Sequence, residues 1–287
     1  MIASIKRRHL VLGLPLLAGI YVAPTSWATP SPLANIEQRH GGRLGVFALD
    51  TGSGRTLAWR ADERFLMCST FKGLLAGQML ARVDTGQKQL DDLVPYTEQD
   101  LIFTSPVTQA NVTRGALPIG TLLQAILEQS DNTAAVLLMR SAGGPAGLTD
   151  FVRGLGDNVT RSDRYEPDSN TADGALDTTS PRAIVTTVKR LLLDDVLTPR
   201  SRAILEAGMV NCKPGRNRLR AALPDSWQGA DRPGTSNENE TNDYLLARPP
   251  RRAPLLIAAY YDAPGKPLEE REAVLREVGG LFVQWAR

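Results

Sequence analysis

Histidine and cysteine are nearly absent: the 287 residues hold two of each, His9, His40, Cys68 and Cys212. His9 falls in a segment read below as an export signal, so one histidine remains. One histidine and two distant cysteines cannot assemble a typical zinc site. A serine–histidine–aspartate triad would rest on His40 alone. That residue lies in the glycine-flanked stretch Gln38-Arg39-His40-Gly41-Gly42, which reads as a turn. No metal or other cofactor is therefore expected. Runs of lysine or arginine are missing too. The net charge is +2 and the charges are dispersed, which leaves no electrostatic footprint for nucleic acid.

What is present is ordinary globular material, with ample length for a compact core. The chain opens on Lys6-Arg7-Arg8 and an apolar stretch from Leu10 to Ala23, too short to span a bilayer comfortably. Ser26-Trp27-Ala28 matches a small-x-small cleavage site, so residues 1–28 read as an export signal. Arg7-Arg8 suits the twin-arginine route, and His9-Leu10-Val11 suits the general secretory route equally. No later apolar run reaches membrane length. A soluble monomer with no stable membrane association, delivered to the periplasm, is expected once the signal is removed.

Ser69-Thr70-Phe71-Lys72 carries the chemistry. The run Gly73 to Ala81 reads as a buried helix, and spacing i,i+3 puts Ser69 and Lys72 on one helical face. A serine hydroxyl is a weak nucleophile until a base takes its proton. A desolvated lysine crowded by charge can be that base. At a helix N-terminus, free N–H groups favour a developing oxyanion.

Arg43–Asp50 alternates as a strand, Thr51-Gly52-Ser53-Gly54 turns, and Thr56–Trp59 returns. From about Ser69 to Met209 the pattern is mostly helical. Thr121 with Gln124 reads as a capping box. Thr133–Ser141 is a second helix closed by Gly143-Gly144, and Pro181–Leu193 a third. Arg161–Leu176 is polar and irregular, and a long loop in a compact domain is usually functional. Asn242–Leu246 and Leu255–Tyr261 are β-like, joined by a turn at Pro249–Arg252. Val274, Val278, Leu281, Phe282 and Trp285 form one apolar stripe on a last helix.

Three further motifs follow Ser69-x-x-Lys72. They are Ser130-Asp131-Asn132, Arg164-Tyr165-Glu166-Pro167-Asp168-Ser169-Asn170, and Asp231-Arg232-Pro233-Gly234-Thr235. Alone, Ser130-Asp131-Asn132 is most often a helix cap, a Glu-Pro pair a surface turn and Arg164 a solvated side chain. In this order and spacing, the chain from about Gly42 onward resembles the class A serine β-lactamases of the penicillin-binding-protein superfamily. Met67-Cys68-Ser69-Thr70-Phe71-Lys72 and the twin arginines are most similar to the chromosomal, broad-spectrum enzymes of Gram-negative bacteria.

The resemblance implies an α/β fold: an antiparallel sheet flanked by N- and C-terminal helices, with an inserted all-helical subdomain and the active site between them. The α/β part would take residues 29–62 and 213–287, the helical part 63–212. It also implies roles. Ser69 attacks a β-lactam carbonyl, and the N–H groups of Ser69 and Thr235 hold the oxyanion. Lys72, Glu166 or both accept the serine proton. Ser130 hands a proton to the lactam nitrogen, Asn132 binds the substrate amide, and Glu166 with Asn170 activates the deacylating water. Arg232, Gly234 and Thr235 line the substrate strand. Arg164 and Asp177 pair across the neck of the long loop. The substrate class is penicillins and cephalosporins, and the consequence is antibiotic resistance. A disulfide between Cys68 and Cys212 is not expected.

Three departures stand out. The family expects Lys-Thr-Gly where this chain has Arg232-Pro233-Gly234. Arginine keeps the charge without the compact ammonium, and its longer head is expected to crowd Ser130. Proline offers neither hydroxyl nor N–H and suits only an edge strand. Arg218 either compensates as a carboxylate-binding arginine or is merely solvated, with even weight on each. Ser169 replaces the usual leucine and Thr104 the usual aromatic, beside Phe103. These departures keep an alternative open: a D,D-peptidase-like or low-activity β-lactam binder.

Overall fold

The computed structural model describes residues 31–287, which form one unit; the export signal assigned to residues 1–28 lies outside the described residues. Helix α1 (Pro32–His40) leads into β1 (Arg43–Asp50) and β2 (Thr56–Trp59). A short β3 (Phe65–Leu66) precedes α2 (Phe71–Asp84). Next come β4 (Leu93–Pro95), α3 (Pro106–Ala110), β5 (Ala116–Pro118) and α4 (Ile119–Gln124). Helices α5 (Asn132–Ser141) and α6 (Gly144–Gly154), the two-residue β6 (Thr178–Thr179), α7 (Pro181–Leu192) and α8 (Pro199–Val210) complete the middle. The chain ends with β7 (Gln228–Thr235), β8 (Glu240–Arg248), β9 (Leu255–Asp262) and α9 (Leu268–Ala286).

Five strands form one antiparallel sheet in the order β2-β1-β9-β8-β7. Alternation divides its residues between two cores. Leu255, Ile257, Ala259 and Tyr261 face outward with Leu33, Ile36, Val274, Val278 and Phe282 of α1 and α9. Leu256, Ala258 and Tyr260 face inward, against α2, α5 and α7. The antiparallel α/β fold expected from the sequence is present. The stripe expected on α9 covers the outer face, with Leu281 and Trp285 at its margin.

The structure corrects several local readings. Thr121 is no cap. It lies inside α4, whose first turn follows Pro118, because Pro118 and Ile119 already continue from β5. His40 is not in a turn but ends α1, and the break comes at Gly41 and Gly42, both at positive φ. Helices α6 and α8 were not foreseen as elements, and α1 only as the N-terminal helix that the resemblance implies. Gly143-Gly144, read as a terminator, both ends α5 and opens α6, since Gly143 sits left-handed as the latter's N-cap. Among the described residues no helix is long and apolar enough to cross a membrane.

Candidate active site

The nucleophile candidate stands on a one-turn 3-10 segment, Cys68–Thr70, that runs directly into α2. Helix α2 is buried on every side from Phe71 to Leu80, so Lys72 enters it with no path to water. Its Nζ donates to Ser69 Oγ at 3.0 Å, Ser130 O at 2.8 Å, Ser130 Oγ at 3.2 Å and Asn132 Oδ1 at 2.5 Å. Glu166 Oε1 is 3.7 Å away, also fully shielded. Burial lowers the Lys72 ammonium to about 8, with Arg232 adding to the shift and Glu166 opposing it. Burial raises the Glu166 carboxyl, against the pull of Lys72. Both groups are thus pushed toward their neutral forms, which narrows the gap a proton crosses between them.

Local strain collects here. Among the described residues, Arg60 and Arg251 have positive φ away from the motifs, and Cys68, Thr104, Ser130 and Asp177 have it at the site, none of them glycine. Each of the last four touches a motif of the site, and such strain persists only where the surroundings impose it. For Ser130 the imposing group is Asp131. Fully buried, it caps α5 through Ala134 N and also accepts from Val107 N, Thr108 N and Thr108 Oγ1. Asn132 donates Nδ2 to Phe103 O at 3.0 Å, which leaves one amide hydrogen free.

The long loop supplies Glu166 and Asn170. Asn170 Nδ2 donates to Glu166 Oε2 at 2.5 Å. Glu166 Oε1, Asn170 Oδ1 and Ser169 Oγ are buried with no protein partner. Arg164 Nε reaches Asp177 Oδ2 at 2.7 Å, and Asp177 Oδ1 accepts from the Asp163 and Arg164 N–H groups. The expected neck pairing is present.

Strand β7 closes the cleft from the sheet edge. Gly234 is required there: a Cβ would lie 2.7 Å from Met67 O and 3.1 Å from Ser69 N. Arg232 is fully buried and does not crowd Ser130. Its Nη1 instead donates to Ile126 O and Leu127 O, 2.8 Å each. These carbonyls belong to a π-helical turn, Ala125–Gln129, that a longer side chain can reach. Pro233 occupies the edge strand, as proline must, and its ring faces Gly215. Arg218 is not solvated. It is buried, with Nη1 on Gly234 O and Asn242 O, Nη2 on Thr235 Oγ1, and Nε on Glu272.

The result is a cleft of about 230 Å³. Ser69, Ser130, Asn132, Asn170, Arg232, Gly234 and Thr235 line it, with Phe103 and Thr104 at the rim. Lys72 and Glu166 lie beneath, and Arg218 lies behind. Cys68 and Cys212 are both buried free thiols. Among the described residues, no three acidic, histidine or cysteine side chains are grouped to hold a metal.

Sequence reasoning missed the supports behind Ser69. Asn242 Nδ2 holds Leu66 O at 2.8 Å, and Tyr260 OH meets Thr70 Oγ1 at 3.0 Å. A signal existed for the first: Thr241-Asn242-Asp243 interrupts an otherwise apolar strand.

Known proteins share this arrangement. The family described as "Beta-lactamase enzyme family" matches residues 30–286. The carbapenem-hydrolyzing β-lactamase KPC of Klebsiella oxytoca is 39% identical over 271 residues, 93% of this chain and 92% of its own. The crystal structure of a β-lactamase from Burkholderia vietnamiensis superposes with a TM-score of 0.89 at 72% identity, covering 89% of this chain and 95% of that one. An ancestral class A β-lactamase gives 0.86 at 47% identity, covering 88% and 98%.

Proposed function

The chain belongs to the β-lactamase enzyme family as a class A serine enzyme that hydrolyses the β-lactam amide, and on that premise we propose that it acts on penicillins and cephalosporins in the periplasm, as a monomer, and confers resistance to them. The observation that carries the mechanism is the direct 3.0 Å contact between Lys72 Nζ and Ser69 Oγ, with Glu166 3.7 Å beyond it.

Neutral Lys72 takes the Ser69 proton as Oγ adds to the lactam carbonyl, and the excess proton is within reach of Glu166. The N–H groups of Ser69 and Thr235 hold the carbonyl oxygen as it becomes anionic. Ser130 passes its proton to the lactam nitrogen as the ring opens and takes one back from Lys72, whose Nζ donates to its Oγ, so the base returns to its neutral form. The free amide hydrogen of Asn132 binds the substrate's side-chain carbonyl. Its carboxylate lies against Arg232 and Thr235. Glu166 Oε1 and Asn170 Oδ1, which have no protein donors, accept from the water that then cleaves the acyl-enzyme.

A nitrocefin assay on purified residues 29–287, followed by a panel of penicillins, cephalosporins and a carbapenem, tests the reading. Rapid turnover of a penicillin and a cephalosporin supports it. A persistent Ser69 adduct would indicate the D,D-peptidase-like alternative. Fractionation of expressing cells tests the location.

A further inference from the structure

Helix α4 continues into the π-helical turn Ala125–Gln129, which ends at Ser130. In an α-helical turn, Ile126 O would accept from Ser130 N–H and Leu127 O from Asp131 N–H. Here both N–H groups go to Ala125 O instead, that of Asp131 at 3.2 Å. Two carbonyls are therefore left over in the core, on Ile126 and Leu127. A buried carbonyl without a donor is costly. Arg232 supplies the donors. Both hydrogens of its Nη1 are spent there, at 2.8 Å each. Its Nε and Nη2 turn back to Pro233 O, 3.3 Å each. Arg232 thus bonds the turn and its own strand, and reaches Ser130 only through the turn.

The surroundings are built to this width. A Cβ at Gly73 would collide with Tyr244 OH and lie 3.5 Å from Arg232 Cγ, so α2 and β8 fix the arginine's stem. On the far side Gly208 of α8 makes room for Leu127, whose Cδ1 lies 2.6 Å from where a Cβ would sit. Lys213 N donates to Glu128 O at 2.9 Å. The widened turn delivers Ser130 at φ 60° and ψ 33°, a left-handed position that serine holds only under constraint. Asp131 anchors it from the α5 side, and the π turn anchors it from the α4 side. So placed, Ser130 turns both O and Oγ to Lys72 Nζ, at 2.8 and 3.2 Å.

We propose that Arg232 and the π turn are a matched pair that positions Ser130 for the delivery of its proton to the lactam nitrogen. In this role Arg232 is a positioning residue, acting through the turn's backbone. Without the guanidinium, Ile126 O and Leu127 O recapture the Ser130 and Asp131 N–H groups, the turn tightens to α, and Ser130 Oγ leaves Nζ. Shortening the turn has the converse fault: the guanidinium is then buried without acceptors. A tight turn suits a lysine, which is shorter and lacks the planar fork. Ser69 stands on a different element, so its 3.0 Å contact with Lys72 survives either change. The inference rests on the reading of Ser130 as the proton donor.

The leaving group isolates this role. A lactam nitrogen must gain a proton as the C–N bond breaks, whereas an aryl ester expels an aryl oxide that carries off the electron pair without one. Benzylpenicillin is compared with an aryl ester of phenylacetylglycine whose phenol bears a carboxylate, so both substrates keep the acyl side chain and the anionic group. Weaker carboxylate binding or lower stability slows both and leaves the ratio of their kcat/KM values unchanged. That ratio is measured for the purified wild type, Ser130→Ala, Arg232→Lys, a deletion of Ala125, and the deletion combined with Arg232→Lys. The penicillin-to-ester ratio should fall about a hundredfold in Ser130→Ala and about tenfold in Arg232→Lys and in the deletion. The combined variant should return to within about threefold of the wild type. A deletion that folds only together with Arg232→Lys also supports the match. An unchanged ratio in Arg232→Lys, with Ser130→Ala lowered, would overturn the positioning role. A combined variant that does not fold, or is no better than the product of the single changes, would overturn the match. An unchanged ratio in Ser130→Ala would instead sink the proton-donor reading, while recovery of the melting temperature in the combined variant still decides the match.

Discussion

The floor of the cleft and its β7 wall are held by different means. On the floor, Ser69, Lys72, Ser130 and Asn132 are joined by direct hydrogen bonds that converge on one Nζ atom. Every member comes from a short motif at a helix end. On the wall, the family's Lys-Thr-Gly is replaced, and Arg232, Pro233 and Thr235 are each held by a residue far away in the chain: Ile126 and Leu127, Gly215, and Arg218. On the floor Ser69, Lys72 and Ser130 both position one another and react, through bonds to the same Nζ atom. The wall only positions, so a different set of partners can do the same work.

The comparison is broken most sharply at Glu166. Glu166→Ala should slow turnover by on the order of a thousandfold and leave a Ser69 adduct that mass spectrometry sees after mixing with a penicillin. Wild-type turnover would remove Glu166 from deacylation. The next effect is acid–base. With Lys72 lowered to about 8, the amine is mostly charged below that pH and cannot accept the serine proton. Acylation of Glu166→Ala, followed by stopped flow, should therefore rise about tenfold per unit and level off below pH 8, because the variant removes the carboxylate that holds the Lys72 ammonium up. A flat profile would mean that Lys72 is not the acceptor.

On the wall, the residues alone argue that Arg232→Lys with Pro233→Thr restores a lost donor and raises kcat/KM. The structure argues the reverse. Lysine gives up the paired donation to Ile126 O and Leu127 O, and the proline ring against Gly215 goes with it. We expect a lower melting temperature, a stability loss of about 1–3 kcal/mol, and no gain in kcat/KM. A tenfold gain would show that the wall is a damaged copy of the family motif rather than an adapted one. The smallest effect is at the loop neck. Arg164→Ala removes the ion pair with Asp177, a longer one with exposed Asp173 and the donation to Thr171 O, while Asp177 keeps its two backbone donors, so about 1 kcal/mol is at stake. Faster hydrogen exchange confined to residues 161–178 is the expected sign.

The helical floor was legible because its residues are local. Ser69 and Lys72 meet through one helical turn, and Ser130 and Asn132 flank a cap. The strands were legible from alternation and their turns. The capping box at Thr121 failed because a proline and a strand end had already fixed where the helix begins. Helices α6 and α8 were missed because glycines and charges blur their apolar stripe, and tertiary burial supplies what their local pattern lacks.

Arg218 shows the limit most plainly. In the chain it stands between Arg216 and Arg220 and has the look of a solvated residue. In the fold it is buried, with four hydrogen bonds to β7, β8 and α9. Sequence by itself put Ser69 and Lys72 on one helical turn and marked the strands by a period of two, while the role of Glu166 and the antiparallel order came only with the resemblance to the family. Only the tertiary structure decided which way Arg232 turns, what holds Thr235, and that Asp231 pairs with Arg220 in a buried patch. Those outcomes depend on contacts between distant segments, and desolvation, which no local pattern records, sets their energies.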